Sequence, residues 1–359
     1  ASDAPAHVKR QADYVCDGTD DHVEIQAAID ALPATGGVVE LSTGTFYQAD
    51  MIRVDSNVWI RGAGAATTLY LVDGTNRPQI VNRDYTNATG GNSGIVISDL
   101  KLDGNKAANA ASSTFINYYN CPILFRYVHD SAIERNTVVN APSIGIDVCY
   151  STHINVNRNF VFNSYYDAIK VVLGSSYVNV TNNIVQGYTT GSAKGIEVQD
   201  GTSFVTITNN IIREFNGGIG VEVHPEELAC SNITISSNMI EDVDTNGISL
   251  AGWSGEGQQL CYISITENTV RNSAGHNIRV DYTDRVTISG NQVIGAGNNG
   301  IHISSANTRD VVIVGNIAEG NDHGIVAYSS HTAIVGNITK NNNRYGIQFN
   351  GSDAVISDN

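Results

Sequence analysis

Asparagine returns along this chain at a near-regular interval, each time behind the same small pattern. Asn210 is preceded by Val205 and Ile207, and the same apolar pair stands five and three residues before Asn159, Asn183, Asn238, Asn268, Asn291 and Asn316. Weaker copies surround Asn136, Asn337 and Asn359, and the spacings run from 21 to 30 residues. A recurrence of this length is the mark of a repeat architecture. Each copy has a second half ending in Gly-Ile-x-Val or a close variant: GIDV at Gly145, GIEV at Gly195, GVEV at Gly220, GISL at Gly247 and GIHI at Gly300. AIKV at Ala168 and NIRV at Asn277 fill the same slot without glycine. Every copy therefore holds short strands of period two separated by turns. One copy cannot bury its apolar face alone, but stacked copies can. Strands rich in Val, Ile and Thr favour a parallel β coil over a helical repeat. The expected fold is all-β, a solenoid of parallel β coils. The asparagines would form a hydrogen-bonded ladder from coil to coil, and the glycines would permit the tight corners.

The first fifty residues read differently. DGTDDHVEIQAAIDALPATGG predicts a helix from about Asp20 to Leu32, with Ile25, Ala28, Ile29 and Leu32 on one face. Thr19 or Asp20 would cap its start, and Pro33 would stop it. An amphipathic helix can cover the open end of a solenoid. The organisation expected is a cap helix and first coil over 1–50 and one continuous β-helix over 51–359. Polar insertions at 82–93 and 104–114 are candidate rim loops. The chain begins at Ala1 without Met and stops at Asn359 in mid-coil. It is read as a trimmed piece of a protein that continues further.

Acids outnumber Lys and Arg by 36 to 20. That excess speaks against a nucleic-acid partner, and no apolar run has the length of a membrane span. The five cysteines, Cys16, Cys121, Cys149, Cys230 and Cys261, are scattered without a C-x-x-C pair and are read as buried small hydrophobes.

The pattern resembles the right-handed parallel β-helix repeat family, whose members include pectate-lyase-like lyases, polygalacturonase-like hydrolases, mannuronan epimerases and phage tail-spike depolymerases. DGTDDHVEIQAAIDALPATGGVVELSTGTF resembles that family's helical cap and first coil. The resemblance implies a right-handed parallel β-helix with an N-terminal helical cap, a polysaccharide partner and an extracellular or virion-surface setting, and its tail-spike members imply a homotrimer. The aspartate and Gly-His-Gly motifs of polygalacturonases are absent. Of the epimerase motif Tyr-Gly-Phe-Asp-Pro-His the chain has only IGIDVC and IGVEVHP. No catalytic assignment passes over from the family.

The charged residues supply the assignment instead. In stacked coils, equivalent positions form columns about 4.8 Å apart per step. The outward position of the Gly-Ile-x-Val strand reads Asp147, Lys170, Glu197, Glu222, Ser249, Arg279, His302, and the next outward position includes His224 and Asp281. Asp167, Lys194 and His276 precede their strands. The outward positions of the other strand, Asn155, Asn179, Thr206 and Thr234, are neutral. One face is thus charged, either as a solvated face of paired charges or as a site. As a site, Glu222 with Glu197 or Asp147, and Asp167 beside them, would supply an acid and a base for glycoside hydrolysis. His224, Lys170, Lys194, His276, Arg279 and Asp281 would bind substrate, and Tyr165, Tyr166, Tyr188 and Trp253 would stack on sugars. The competing chemistry is β-elimination or C5 epimerisation of a uronate, which needs a base, an acid and a neutraliser of the carboxylate. There calcium on Glu197 and Glu222 would act; hydrolysis requires no metal or cofactor. Acids outnumber bases in the central coils, which favours hydrolysis. A non-catalytic glycan-binding or fibre β-helix is the third reading.

Overall fold

The computed structural model describes residues 1–111, 120–187, 193–215, 218–254 and 258–359. The chain divides into two units, Ala1–Lys170 and Val171–Asn359.

The first unit begins with the cap. A short helix, Ala6–Lys9, precedes the expected one, which runs His22–Asp30. Ile25 and Ile29, one turn apart, are its buried residues, and it packs on the strands Gly37–Glu40, Gly44–Gln48 and Ile52–Val54. Neither Thr19 nor Asp20 caps it. The N-cap residue is Asp21, whose carboxylate turns away from the helix and accepts from Gly18 N at 2.8 Å and Tyr47 N at 2.7 Å. The cap residue thus fastens the helix to the first coil. The insertion 82–93 is partly anchored: buried Asn82 donates to Asn92 at 3.1 Å and accepts from Arg126 N at 3.0 Å. Strands of this unit pair in parallel, for example Ile146–Cys149 on Ile123–Arg126 and Thr152–Asn157 on Val128–Glu134.

In the second unit the repeat is regular. Ser176–Thr181, Ser203–Thr208, Ser231–Ser236, Leu260–Thr266 and Thr283–Ser289 pair successively in parallel, so Val205 lies on Ile233 and Ile233 on Ile263. The second face is built from Lys194–Gln199, Ile219–His224, Ile248–Ala251, Ile278–Asp281, Asn299–Ile303 and His323–Ala327. The inward Val and Ile, such as Val205, Ile207, Ile233, Ile235, Val221 and Val223, are buried, whereas Ile184, Ile211, Val312 and Ile338 face outward.

The asparagine ladder forms as expected. The backbone N–H of Asn210 and its Nδ2 both donate to Asn238 Oδ1, at 2.9 and 3.0 Å, and Asn238 repeats this on Asn268 at 3.0 and 3.0 Å. The series continues through Asn291, Asn316 and Asn337 to Asn359. The residue before each rung bends the chain in the left-handed region: Asn182, Asn209, Ser237 and Glu267 all have φ near +57° (58, 57, 56 and 58). Asn populates that region readily, Ser and Glu less so, and the stacked ladder offsets the cost.

The glycines of the Gly-Ile-x-Val slot do not make corners by positive φ. They admit close approach instead. A Cβ on Gly220 would lie 2.5 Å from Gly247 O and 2.5 Å from Ile240 Cγ2. Gly220→Ala is therefore expected to overpack the coil and cost about 1–3 kcal/mol. A lowered thermal midpoint checks this; an unchanged one would show that the coils can separate freely. All five cysteines are free, four of them buried and Cys261 partly so.

Candidate functional site

The registers confirm the column within the second unit. Glu197 lies on Glu222, Glu222 on Ser249, Ser249 on Arg279, and Arg279 on His302. The environment differs from a solvated face. Glu197 is 0% exposed and Glu222 9%; in the first unit Asp147 is 2%, Asp167 4% and Lys170 7% exposed. Side chains one strand spacing apart cover each other, and a carboxylate so desolvated has to be paired.

Lys194 provides that pairing. Its Nζ lies 2.7 Å from Glu197 Oε1 and 3.3 Å from Glu222 Oε2, so one ammonium offsets the repulsion between two stacked carboxylates. The same Glu197 Oε1 is 3.1 Å from His224 Nε2. The other ring nitrogen, Nδ1, is 2.8 Å from the Pro225 carbonyl. A carbonyl only accepts, so Nδ1 carries a proton. Nε2 then bonds to Glu197 by sharing a second proton with it. Burial pulls the His224 pKa down, but the hydrogen bond to Glu197 and the charges of Glu197 and Glu222 outweigh this, and the net shift is upward. A raised folded-state value means that protonated His224 contributes stability below the ordinary histidine pKa, and that this contribution is lost as pH rises through the raised value. Followed by NMR, His224 should titrate above an ordinary histidine, and Glu197→Gln should lower it; titration below the ordinary value would contradict this geometry.

The surroundings hold these groups in place. Asp200 Oδ1 accepts from Glu227 N at 3.1 Å and Leu228 N at 2.9 Å, pinning the turn that carries Pro225. Asp200 was not among the sequence candidates; its only signal is an acid in the turn directly after GIEVQ. Trp253, 46% exposed, has its ring 6.1 Å from His224 at 29°. Further along the same face are His276, Arg279, Asp281 and His302. Arg279 Nη2 is 2.6 Å from Asp281 Oδ2, and the His276 and His302 rings stack at 4.4 Å.

Asp147, Asp167, Lys170, Tyr165 and Tyr166 belong to the first unit. Lys170 Nζ is 3.7 Å from Asp167 Oδ2, and Tyr165 meets Tyr166 edge-on at 4.8 Å. Tyr188 lies outside the described residues. A cavity of about 850 Å³ in the first unit is lined by cap residues such as Cys16, Ile25, Leu41 and Phe46, and by none of the candidate site residues.

Glu197, Glu222 and His224 can each offer a ligand atom within 4.8 Å of the others. Calcium prefers six to eight oxygens. Here the set includes an imidazole, and Lys194 occupies the place between the carboxylates. These residues as arranged fit an ammonium and do not fit calcium.

A parallel β coil with a buried ionic cluster on one outer face is the class that these features define. Residues 102–260 and 256–359 match the family profile described as right handed beta helix region, and the chain belongs to that family. It is 26% identical over 245 residues to the pre-neck appendage protein of Bacillus phage phi29, which is 63% of this chain and 28% of that protein. The matched segment thus spans little more than a quarter of that relative's length. Among solved structures, the A-module of the Azotobacter vinelandii mannuronan C-5 epimerase AlgE4 has a TM-score of 0.76 at 21% identity, covering 97% of this chain and 99% of that one. A mutant tailspike protein of E. coli bacteriophage HK620, in complex with a pentasaccharide, has a TM-score of 0.62 at 14% identity, covering 94% and 77%. At these identities the structural likeness is one of fold.

Proposed function

We propose that this protein acts on a uronate-containing polysaccharide by removing the C5 proton, leading to elimination or epimerisation. The observation that carries this reading is the division of labour between the two glutamates. Glu197 is wholly buried and spends one oxygen on Lys194 and His224 together. Glu222 retains a second oxygen, Oε1, without a protein partner among the described residues. Glu222 is therefore the base. Lys194 offsets the negative charge that develops on the substrate carboxylate and donates a proton to the departing oxygen. Glu197 orients Lys194, and His224 adds positive charge; both its nitrogens are engaged, so it takes no proton from substrate. Trp253 offers a ring face to a sugar. In elimination, Glu222 accepts the C5 proton, the C5 electron pair forms the C4–C5 double bond, and the C4–O bond breaks. In epimerisation, the C4–O bond is retained, a water molecule delivers a proton to C5 from the other face, and Glu222 releases the proton it took to solvent. Asp147, Asp167, Lys170, Tyr165 and Tyr166 are assigned no step. The likeness to a mannuronan epimerase module supports the substrate class by analogy of fold.

Hydrolysis is favoured by one observation, the adjacent register of Glu197 and Glu222, which matches the spacing of a retaining carboxylate pair. The burial of Glu197 weighs against it, because a nucleophile has to reach the sugar. Incubation with a panel of acidic and neutral polysaccharides separates the readings. New chain ends with ultraviolet absorbance indicate elimination, altered uronate stereochemistry without new ends indicates epimerisation, and new ends without absorbance indicate hydrolysis. Binding with none of these supports a glycan-binding fibre. The setting we propose is extracellular or on a virion surface, with a trimer as the assembly, by likeness to the phage proteins. Among the described residues no helix is long and apolar enough to cross a membrane.

A further inference from the structure

Two coils beyond Glu222, the same outer face carries a second group of side chains that the proposed chemistry does not use. Its organiser is Asn299, at the start of the strand Asn299–Ile303. The Asn299 backbone N–H donates to His276 Nδ1 at 3.3 Å, and its side-chain Nδ2 faces His302 Nδ1 at 2.8 Å. A backbone N–H and an amide NH2 only donate, so both Nδ1 atoms accept. Both imidazoles are thereby neutral, with the proton on Nε2.

The rings are parallel to within 5° and 4.4 Å apart. Because both Nδ1 atoms face Asn299, Nε2–H is in each ring the nitrogen turned away from it. Neither has a protein partner among the described residues. Burial, then the neighbouring histidine and the Arg279 charge, hold His276 down to about 4; burial, then Arg279 and His323, do the same for His302. Arg279 is in register with His302 and is 42% exposed at its side chain. Asp281 engages one end of its guanidinium, which has five N–H donors in a planar fork. Tyr328 closes one side, its ring 6.0 Å from His302 and edge-on to it.

The open polar groups on His276, His302 and Arg279 are donors, and the one carboxylate beside them, Asp281, is paired to Arg279 through Oδ2. A planar acceptor suits such a set, and a carboxylate matches both the fork of an arginine and a pair of parallel N–H groups. We propose that Arg279, His276 and His302 form a carboxylate-binding subsite for a second acidic sugar of the chain whose first is held at Glu222. Arg279 is two strand spacings from Glu222, roughly 10 Å along the stack, so an extended acidic oligosaccharide lying along the coils meets both. Asn299 is a positioning residue: it touches no substrate and sets the tautomer of two donors. This inference rests on the reading of the substrate as a polyuronate.

The test uses the full chain with Glu222→Gln, so that ligand is bound and not consumed. Calorimetric binding of polyuronate oligomers is compared with binding of the same oligomers after reduction of their carboxyls to alcohols. Arg279→Gln should weaken the acidic oligomers by about tenfold to a hundredfold, the range of a lost charge-assisted hydrogen bond. It should leave the reduced oligomers unchanged. Equal effects on both ligands, or none, would overturn the subsite while leaving the chemistry at Glu222 standing. Failure of every acidic oligomer to bind while neutral glycans do would overturn the polyuronate reading and the subsite with it. Ring-nitrogen NMR gives an independent readout. His276 and His302 should show the Nε2–H tautomer at neutral pH, and Asn299→Ala should mix the tautomers and weaken the acidic ligand. An Nδ1–H signature in the unsubstituted protein contradicts the assignment of donors.

Discussion

Glu222→Gln is expected to reduce turnover by about 10²–10⁴-fold, the usual contribution of a positioned general base, while thermal stability changes little. The amide keeps the shape of the side chain and an oxygen for Lys194, so the cluster retains its geometry. What is lost is the ability of Oε1 to take a proton. The effect should fall on kcat, with KM nearly preserved, because the group acts in the transition state more than in binding. Glu197→Gln should behave differently. Glu197 holds Lys194 and His224 through a single oxygen, and it is 0% exposed. Neutralising it takes the charged acceptor from both Lys194 and His224, so stability and activity should fall together. If Glu222→Gln kept full activity, the base would have to lie elsewhere on the chain.

Asn238→Ala is the substitution expected to cost most stability. Asn238 Oδ1 accepts from Asn210 N and Nδ2, and its own Nδ2 donates to Ile207 O at 2.9 Å. Alanine takes these bonds from the buried Asn210 N–H and from the Ile207 carbonyl, while Asn210 Nδ2 keeps its bond to Val180 O at 2.9 Å. Each orphaned group costs about 1–3 kcal/mol, so the loss from two of them should be at least about 2 kcal/mol. Coils are stabilised through their neighbours, so the damage should spread to adjacent coils. Hydrogen exchange should be faster at the Asn210 backbone N–H, which loses its acceptor, than at sites several coils away. Thr234→Ala, at a partly exposed outward position, is the control and should change stability by no more than about 0.5 kcal/mol. Equal stability of the two variants would mean that the ladder does not hold the coils together.

The period of the asparagines made most of this fold legible. Inward positions must be apolar and rungs must be asparagine, so both leave a mark in the sequence. The column of Glu197, Glu222, Arg279 and His302 followed from the same registration, and the strand pairings bear it out. Three things were not legible. The left-handed residue before each rung varies among Asn, Asp, Ser, Glu, Arg and Gly, so no residue type announces it. The glycines looked like corner residues, because a sequence does not distinguish a need for positive φ from a lack of room for Cβ. Periodicity also tells which way a side chain leaves a sheet, not what covers it. Glu197 and Glu222 were legible as stacked acids of a charged column, but the packing of Lys194 and His224 against them was not. Asn299 was visible as a polar residue before a strand, but its hold on two histidines comes from different atoms of one residue and needs coordinates.

The central claim is that the Glu222 cluster acts on the C5 proton of a uronate. The most direct measurement is proton NMR of a uronate polymer incubated with the protein in heavy water. Exchange of the C5 proton for deuterium, or its loss into an unsaturated chain end, is the predicted result, and both should vanish in Glu222→Gln. Chain cleavage that leaves every C5 proton in place, across the panel of acidic polysaccharides, would contradict the account and point to hydrolysis.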